Sequence, residues 1–127
     1  MSGASVPPRV TITLVTGPTT GAREQLIAAQ LPLGSPAVCA VLLEGLPDGH
    51  TILAPSPSIL LERIAPGCLC CTGNLVLRVT LNRLLRRRPD RLYIGLATTE
   101  HLDQLRSWLQ NPPYDQLLEL TPDLTAT

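Results

Sequence analysis

Ala37-Val38-Cys39-Ala40-Val41-Leu42-Leu43 is an apolar run with no polar residue alternating through it. A strand that shows one face to water alternates apolar and polar residues; an unbroken run predicts a strand covered on both faces. Cover on both faces calls for helices on either side of a sheet, and the chain supplies them in alternation. Val10-Thr11-Ile12-Thr13-Leu14-Val15 predicts a strand. Thr16 to Gly21 carries turn residues, and Ala22 to Leu31 predicts a helix with Leu26, Ile27 and Leu31 on one side and a threonine available as its N-cap. Strand, helix and strand in that order form a βαβ unit with a right-handed crossover.

The alternation continues. Thr51 to Ala54 and Ser58 to Ile64 predict short edge strands, given the flanking Pro55 and Pro57. A helix is expected from Thr72 to about Arg88, with Leu77, Leu81, Leu84 and Leu85 as its apolar stripe. Arg78, Arg83, Arg86, Arg87 and Arg88 fall largely elsewhere on that helix, as a solvated face with cations near its C-terminus. Arg91 to Leu96 predicts a strand, and a helix carrying Leu102, Leu105, Trp108 and Leu109 follows, stopped at Asn111-Pro112-Pro113. Gln116 to Leu120 predicts a last short strand. The fold class is therefore α/β, a mostly parallel sheet with flanking helices in a single domain. The expected organisation is a loose arm over 1–8, the α/β domain over 9–120 and a tail over 121–127.

Leu, Val and Ile supply the core of these 127 residues, for Phe is absent and there are one Trp and two Tyr. The net charge is zero, so neither nucleic acid nor an anionic membrane is an expected partner. No stretch is long enough to span a bilayer and the N-terminus lacks the regions of a signal peptide, which makes the cytoplasm, with reduced thiols, the expected compartment. All ten basic residues are arginine. Without lysine, Schiff-base chemistry, a lysine base and a phosphate-binding lysine are all excluded.

Three of the four cysteines, Cys68, Cys70 and Cys71, stand within Gly67-Cys68-Leu69-Cys70-Cys71-Thr72. Neighbouring residues cannot all face one core, and thiolates grouped this closely suit a soft or borderline metal such as Zn²⁺ or Cu⁺. A tight turn holding small, buryable thiols is the alternative. A redox pair is the weaker reading, since it takes the spacing C-x-x-C. A thiolate just before a helix N-terminus is also stabilised by the dipole, which favours metal capture. Cys39, inside the apolar run, reads as a core residue.

The first loop invites comparison with the phosphate-binding pattern G-x-x-x-x-G-K-[ST]. Gly17 fits its first position. Ala22 stands where the second glycine belongs, Arg23 where the lysine belongs and Glu24 where the hydroxyl belongs. Arginine keeps the charge without the slim reach of an ammonium, and Glu24 would point a carboxylate toward phosphate. Gly17, Gly21 and Arg23 therefore read as a vestigial phosphate loop, and Mg-nucleotide binding is not expected.

Taken together, these residues resemble the CobW-type metal-chaperone GTPases, whose G domain carries a Gly-Cys-(Ile/Leu)-Cys-Cys-Thr motif; Gly67 to Thr72 matches it residue for residue. Arg87 to Ile94 looks like the segment that follows in that family. Val41-Leu42-Leu43-Glu44-Gly45 is similar to the strand ending in the family's Asn-Glu-Phe-Gly segment, with Glu44 as the matching acid. The resemblance covers roughly Val10 to Leu109. It implies a P-loop-NTPase-like, truncated G domain, with Cys68, Cys70 and Cys71 as ligands of Zn²⁺ or a similar metal and Glu44 as an oxygen ligand. His50, His101, water or a second chain would complete the coordination, the last giving a metal-bridged homodimer, while each histidine by itself reads as a surface residue.

The departures are equally specific. The phosphate loop is broken at Ala22, Arg23 and Glu24, and the strand Ile94-Gly95-Leu96 lacks the acidic residue of the family's Ile-Glu-Thr-(Thr/Ser)-Gly segment. An Asn-Lys-x-Asp motif cannot exist without lysine, and a counterpart of the family's C-terminal domain is not expected. The leading expectation is a non-catalytic zinc-binding protein for metal trafficking or sensing. The alternatives are a regulatory module that docks on a full-length GTPase or another metalloprotein partner through the arginines from Arg83 to Arg91, and a weak GTP-binding protein with Arg23 in place of the lysine.

Overall fold

The computed structural model describes residues 9–31, 37–45, 53–64, 75–97, 99–100 and 102–126. Within them the chain forms an α/β layer structure. The elements in order are β1 (Val10–Thr16), α1 (Thr20–Gln30), β2 (Cys39–Glu44), β3 (Ile59–Ile64), α2 (Leu75–Arg86), β4 (Arg91–Gly95), α3 (Leu102–Leu109), α4 (Tyr114–Leu117), β5 (Leu118–Leu120) and β6 (Leu124–Thr125). The strands form one sheet in the order β3-β2-β4-β1-β5, with β6 also on β1, and every pairing among them is parallel.

Side-chain parity along the central strands divides the core into two layers. Ile12 and Leu14 of β1, Ala40 and Leu42 of β2, and Leu92 and Ile94 of β4 pack against α2 through Leu77, Leu81 and Leu84, and against α3 through Leu105 and Leu109. Val15, Val41, Leu43 and Tyr93 face the other way, onto Ile27 of α1. The part of the apolar run within β2, from Cys39 on, is buried at every residue, as a strand with helices on both faces must be. Cys39 is buried at its start, in line with a core role.

Several expectations shift by a turn or less. α1 begins at Thr20 rather than Ala22, because the Oγ1 of Thr19 accepts a hydrogen bond from the Ala22 amide at 3.0 Å and caps the helix there. Thr19→Ala should therefore lower stability by about 1 kcal/mol, read as the shift of the urea midpoint. Gln116 and Leu117, expected in a strand, belong to α4, whose Tyr114 packs against Trp108 in a tilted arrangement at a centroid distance of 4.7 Å and donates to the Oδ1 of Asn82 on α2 at 2.9 Å. Leu53 and Ala54, expected in a strand, lie outside any element.

The stretch expected as a tail carries β6. Leu120 pairs with Ile12 and Leu124 with Val15, so the β5–β6 side takes four steps against three on β1. The extra residue is accommodated around Pro122, which has no amide to give to a ladder. Hydrogen bonds from the Thr121 amide to the Ile12 carbonyl, 3.0 Å, and from the Ala126 amide to the Thr16 carbonyl, 2.7 Å, hold this segment along β1. An ion pair between Arg106 of α3 and Asp123 adds to them.

The connections leaving β1 and β4 run in opposite directions: β1 leads across β4 to β2, and β4 leads across β1 to β5. Opposed crossovers send α1 and α3 to opposite faces and leave a crevice at the carboxyl ends of β1 and β4, the usual place for a ligand in such sheets. No described helix is long and apolar enough to cross a membrane.

Candidate functional site

Gly17 follows β1 at this crevice. A Cβ placed on it would stand 2.7 Å from the Cβ of Ala126 and 3.2 Å from Cγ of Arg23, so the loop and the end of β6 approach each other only because residue 17 has no side chain. Thr16, Gly17, Pro18, Ala97, Thr99, Thr125 and Ala126 line a cleft of about 390 Å³ there.

Arg23 is buried, and its guanidinium turns back onto its own loop. Nη1 donates to the Gly17 carbonyl at 2.8 Å and Nη2 to the Oγ1 of Thr20 at 3.1 Å. Those are crosslinks within the first turn and its approach, made by groups that a phosphate-binding cation would turn toward its ligand. Gly21 is buried in the same turn.

Glu24, the next residue, is engaged within the protein. Its fully buried carboxylate receives both terminal nitrogens of Arg63, on β3, at 3.1 Å each. The two-point geometry fits a guanidinium and a carboxylate that share one plane. Removal of a buried carboxylate from water is costly, and a planar partner with two hydrogen bonds offsets that cost. The only sequence signal for Arg63 was a charged pair, Glu62-Arg63, set in an otherwise apolar edge strand.

Glu44 closes β2 at the same edge of the sheet and is buried. Its Oε1 accepts a hydrogen bond from the Ala97 amide at 2.8 Å, just past the end of β4. Gly45, at φ +116°, takes a backbone conformation that suits glycine and donates to the Ile64 carbonyl at 2.8 Å. Glu44 and Ile64 are register partners. The chain therefore enters the cysteine-bearing stretch from a strand end beside Glu44. Cys68, Cys70 and Cys71 themselves lie outside the described residues, as do His50 and His101. Among the described residues no group of three His, Cys, Asp or Glu is placed to hold a metal ion.

Cys39 takes no part in this edge. It opens β2 while Glu44 ends it, a separation of roughly 16 Å along the strand. Burial pushes its thiol up, an effect that Arg91 opposes, and burial likewise pushes the phenol of Tyr114 up, against Arg78. Both groups are neutral when protonated and both have folded values above their unfolded ones. Their stabilising contribution is complete below the ordinary values, about 8.5 and 10, and is lost as pH climbs through the raised ones. The urea midpoint is therefore expected to hold level from neutral pH and to fall above about pH 9, with a shallower fall in Tyr114→Phe.

Fold and edge together define a parallel α/β protein whose candidate site lies where the strand connections diverge. Over 78 residues, 61% of its length, the chain is 40% identical to the zinc chaperone YeiR of Escherichia coli (strain K12). That match takes in 23% of the chaperone, so this chain spans under a quarter of the relative's length. The identity supports a CobW-like relationship at the level of family resemblance. No family profile matches the chain. No solved structure matches it.

Proposed function

We propose that this chain is a metal-binding module of the CobW-like kind that takes zinc as its cargo through Cys68, Cys70 and Cys71 and works without nucleotide. The observation that carries the reading is the identity to a zinc chaperone, joined to a cysteine motif that matches the CobW type. Three thiolates suit Zn²⁺, with a fourth position left for an oxygen, a histidine, water or a second copy of the chain. Glu44 is the candidate oxygen ligand. A carboxylate oxygen has more than one lone pair, and a hydrogen bond such as that from the Ala97 amide orients a ligating carboxylate rather than blocking it.

The first loop supports the nucleotide-free half of the proposal. Arg23 is bonded to Gly17 and Thr20, and Glu24 is paired with Arg63. A phosphate would have to break the first contacts and would meet no lysine and no hydroxyl at the corresponding positions. Residues Gly17, Gly21 and Arg23 are then structural remnants of a phosphate loop in a P-loop-like domain.

Metal content decides the first half. Protein purified under reducing conditions should carry or take up close to one zinc per chain or per dimer, and a chain that neither carries nor takes up metal would refute it. Calorimetry with Mg-GTP at millimolar nucleotide should show no binding. The setting we propose is metal trafficking or sensing in the cytoplasm. A reading as a docking module has its own support in Leu75, Val76 and Val79, apolar residues exposed at the start of α2. Binding to a purified full-length CobW-type GTPase that survives loss of all three cysteines would select it.

A further inference from the structure

At the opposite edge of the sheet, beneath the amino ends of β1 and β4, lies a cavity of about 500 Å³. That volume falls in the usual range for a small-molecule site. Its walls come from four separate parts of the chain. Val10 opens β1, Leu85 is on the last turn of α2, Pro89 is in the connection to β4, and Leu117 ends α4. These are apolar groups, and Leu117 is left 45% exposed by the fold.

Arg9 and Arg88 also line the cavity. Neither guanidinium makes an ion pair or a hydrogen bond with another described residue. The one carboxylate in the lining, Asp90, has its Oδ2 held by the Val38 amide at 2.8 Å. The lining is therefore net positive over an apolar interior. Arg88 adds a second observation. It has φ +52°, the left-handed conformation at a helix end where glycine is the ordinary residue. A bulky cation kept at that backbone position is a strained choice, and such strain accompanies sites more often than plain connections.

From this geometry we infer a binding site for a small amphipathic anion, a carboxylate or phosphate head on an aliphatic body. The head lies between Arg9 and Arg88, which can each offer paired N–H donors. The body lies against Val10, Leu85, Pro89 and Leu117. The site is separate from the cysteine edge and independent of the zinc reading.

Isothermal titration of the full chain with octyl phosphate and with octanoate, both below their micelle concentrations, tests the inference. Each is expected to bind with one-to-one stoichiometry. Octanol and inorganic phosphate, which carry only one half of the chemistry, should bind at least tenfold more weakly. Arg88→Gly relieves the backbone and should keep the fold, with an unchanged circular dichroism spectrum, while weakening both amphiphiles at least fivefold; Arg9→Ala should do the same. A tenfold preference for octyl phosphate would identify a phosphate head, and the reverse a carboxylate. The inference is overturned by no binding of either amphiphile at millimolar concentration, by octanol binding as well as they do, or by affinities that both arginine variants leave unchanged.

Discussion

Replacement of Cys70 and Cys71 together by serine is expected to lower zinc affinity by at least about a thousandfold, measured by competition with a chromophoric chelator under reducing conditions. Serine is nearly isosteric with cysteine, but its hydroxyl stays protonated at neutral pH and cannot supply an anionic soft donor. With two of three thiolates gone, the remaining group is one sulfur with ordinary oxygen and nitrogen neighbours. Glu44→Gln in the same assay should cost less, roughly tenfold to a hundredfold. It replaces one anionic oxygen and leaves an acceptor for the Ala97 amide. A double serine variant with unaltered affinity would remove the metal proposal, whatever the effect at Glu44.

The second large effect is on stability. Glu24→Ala leaves the Arg63 guanidinium, whose side chain is only 18% exposed, facing α1 without its carboxylate. Loss of one member of a buried pair costs about 3–5 kcal/mol, most of it from the stranded charge rather than from the lost attraction. The lower end applies, since water reaches part of Arg63. The change should appear as a fall in the urea midpoint with little change in slope. Glu24→Leu with Arg63→Leu removes both charges and should recover most of the loss, because a buried ion pair is seldom better than apolar packing of similar volume. If the single and double variants were equally destabilised, the pair would be ruled out as the link between α1 and β3.

Those two expectations differ in how readily the chain announces them. β1 to β4 were readable from their β-branched and apolar residues, and β2 showed its position inside the sheet by lacking alternation, whereas β6 lay in the stretch read as a tail. α2 and α3 were readable from leucines at helical spacing. The strand order was not, since a parallel sheet is assembled by crossovers whose direction no local pattern encodes. At the first loop the substitutions Ala22, Arg23 and Glu24 were evident, yet their partners were not. Arg63 is 39 residues from Glu24, and Ala97 is 53 from Glu44. Contacts over such separations depend on which strand ends meet, which is a property of the finished sheet. The boundary at Gln116 and Leu117 was misread because a single turn of helix carries too few residues to show a period. The cysteine motif was the most specific feature of the sequence, and its geometry falls outside the described residues.

The position of β1 has a consequence for how the molecule comes into being. It precedes the other described strands in the chain, and it stands inside the sheet with neighbours on both sides. Its neighbours are Arg91–Gly95 on one side and Leu118–Leu120 with Leu124–Thr125 on the other. Ile12 thus finds its sheet partners, Leu92 and Leu120, 80 and 108 residues further along the chain. Pairings between such distant segments make for slow folding, because the intervening chain must be closed before any contact rewards it. Until those pairings form, the apolar β1 segment is one through which a delayed chain would aggregate.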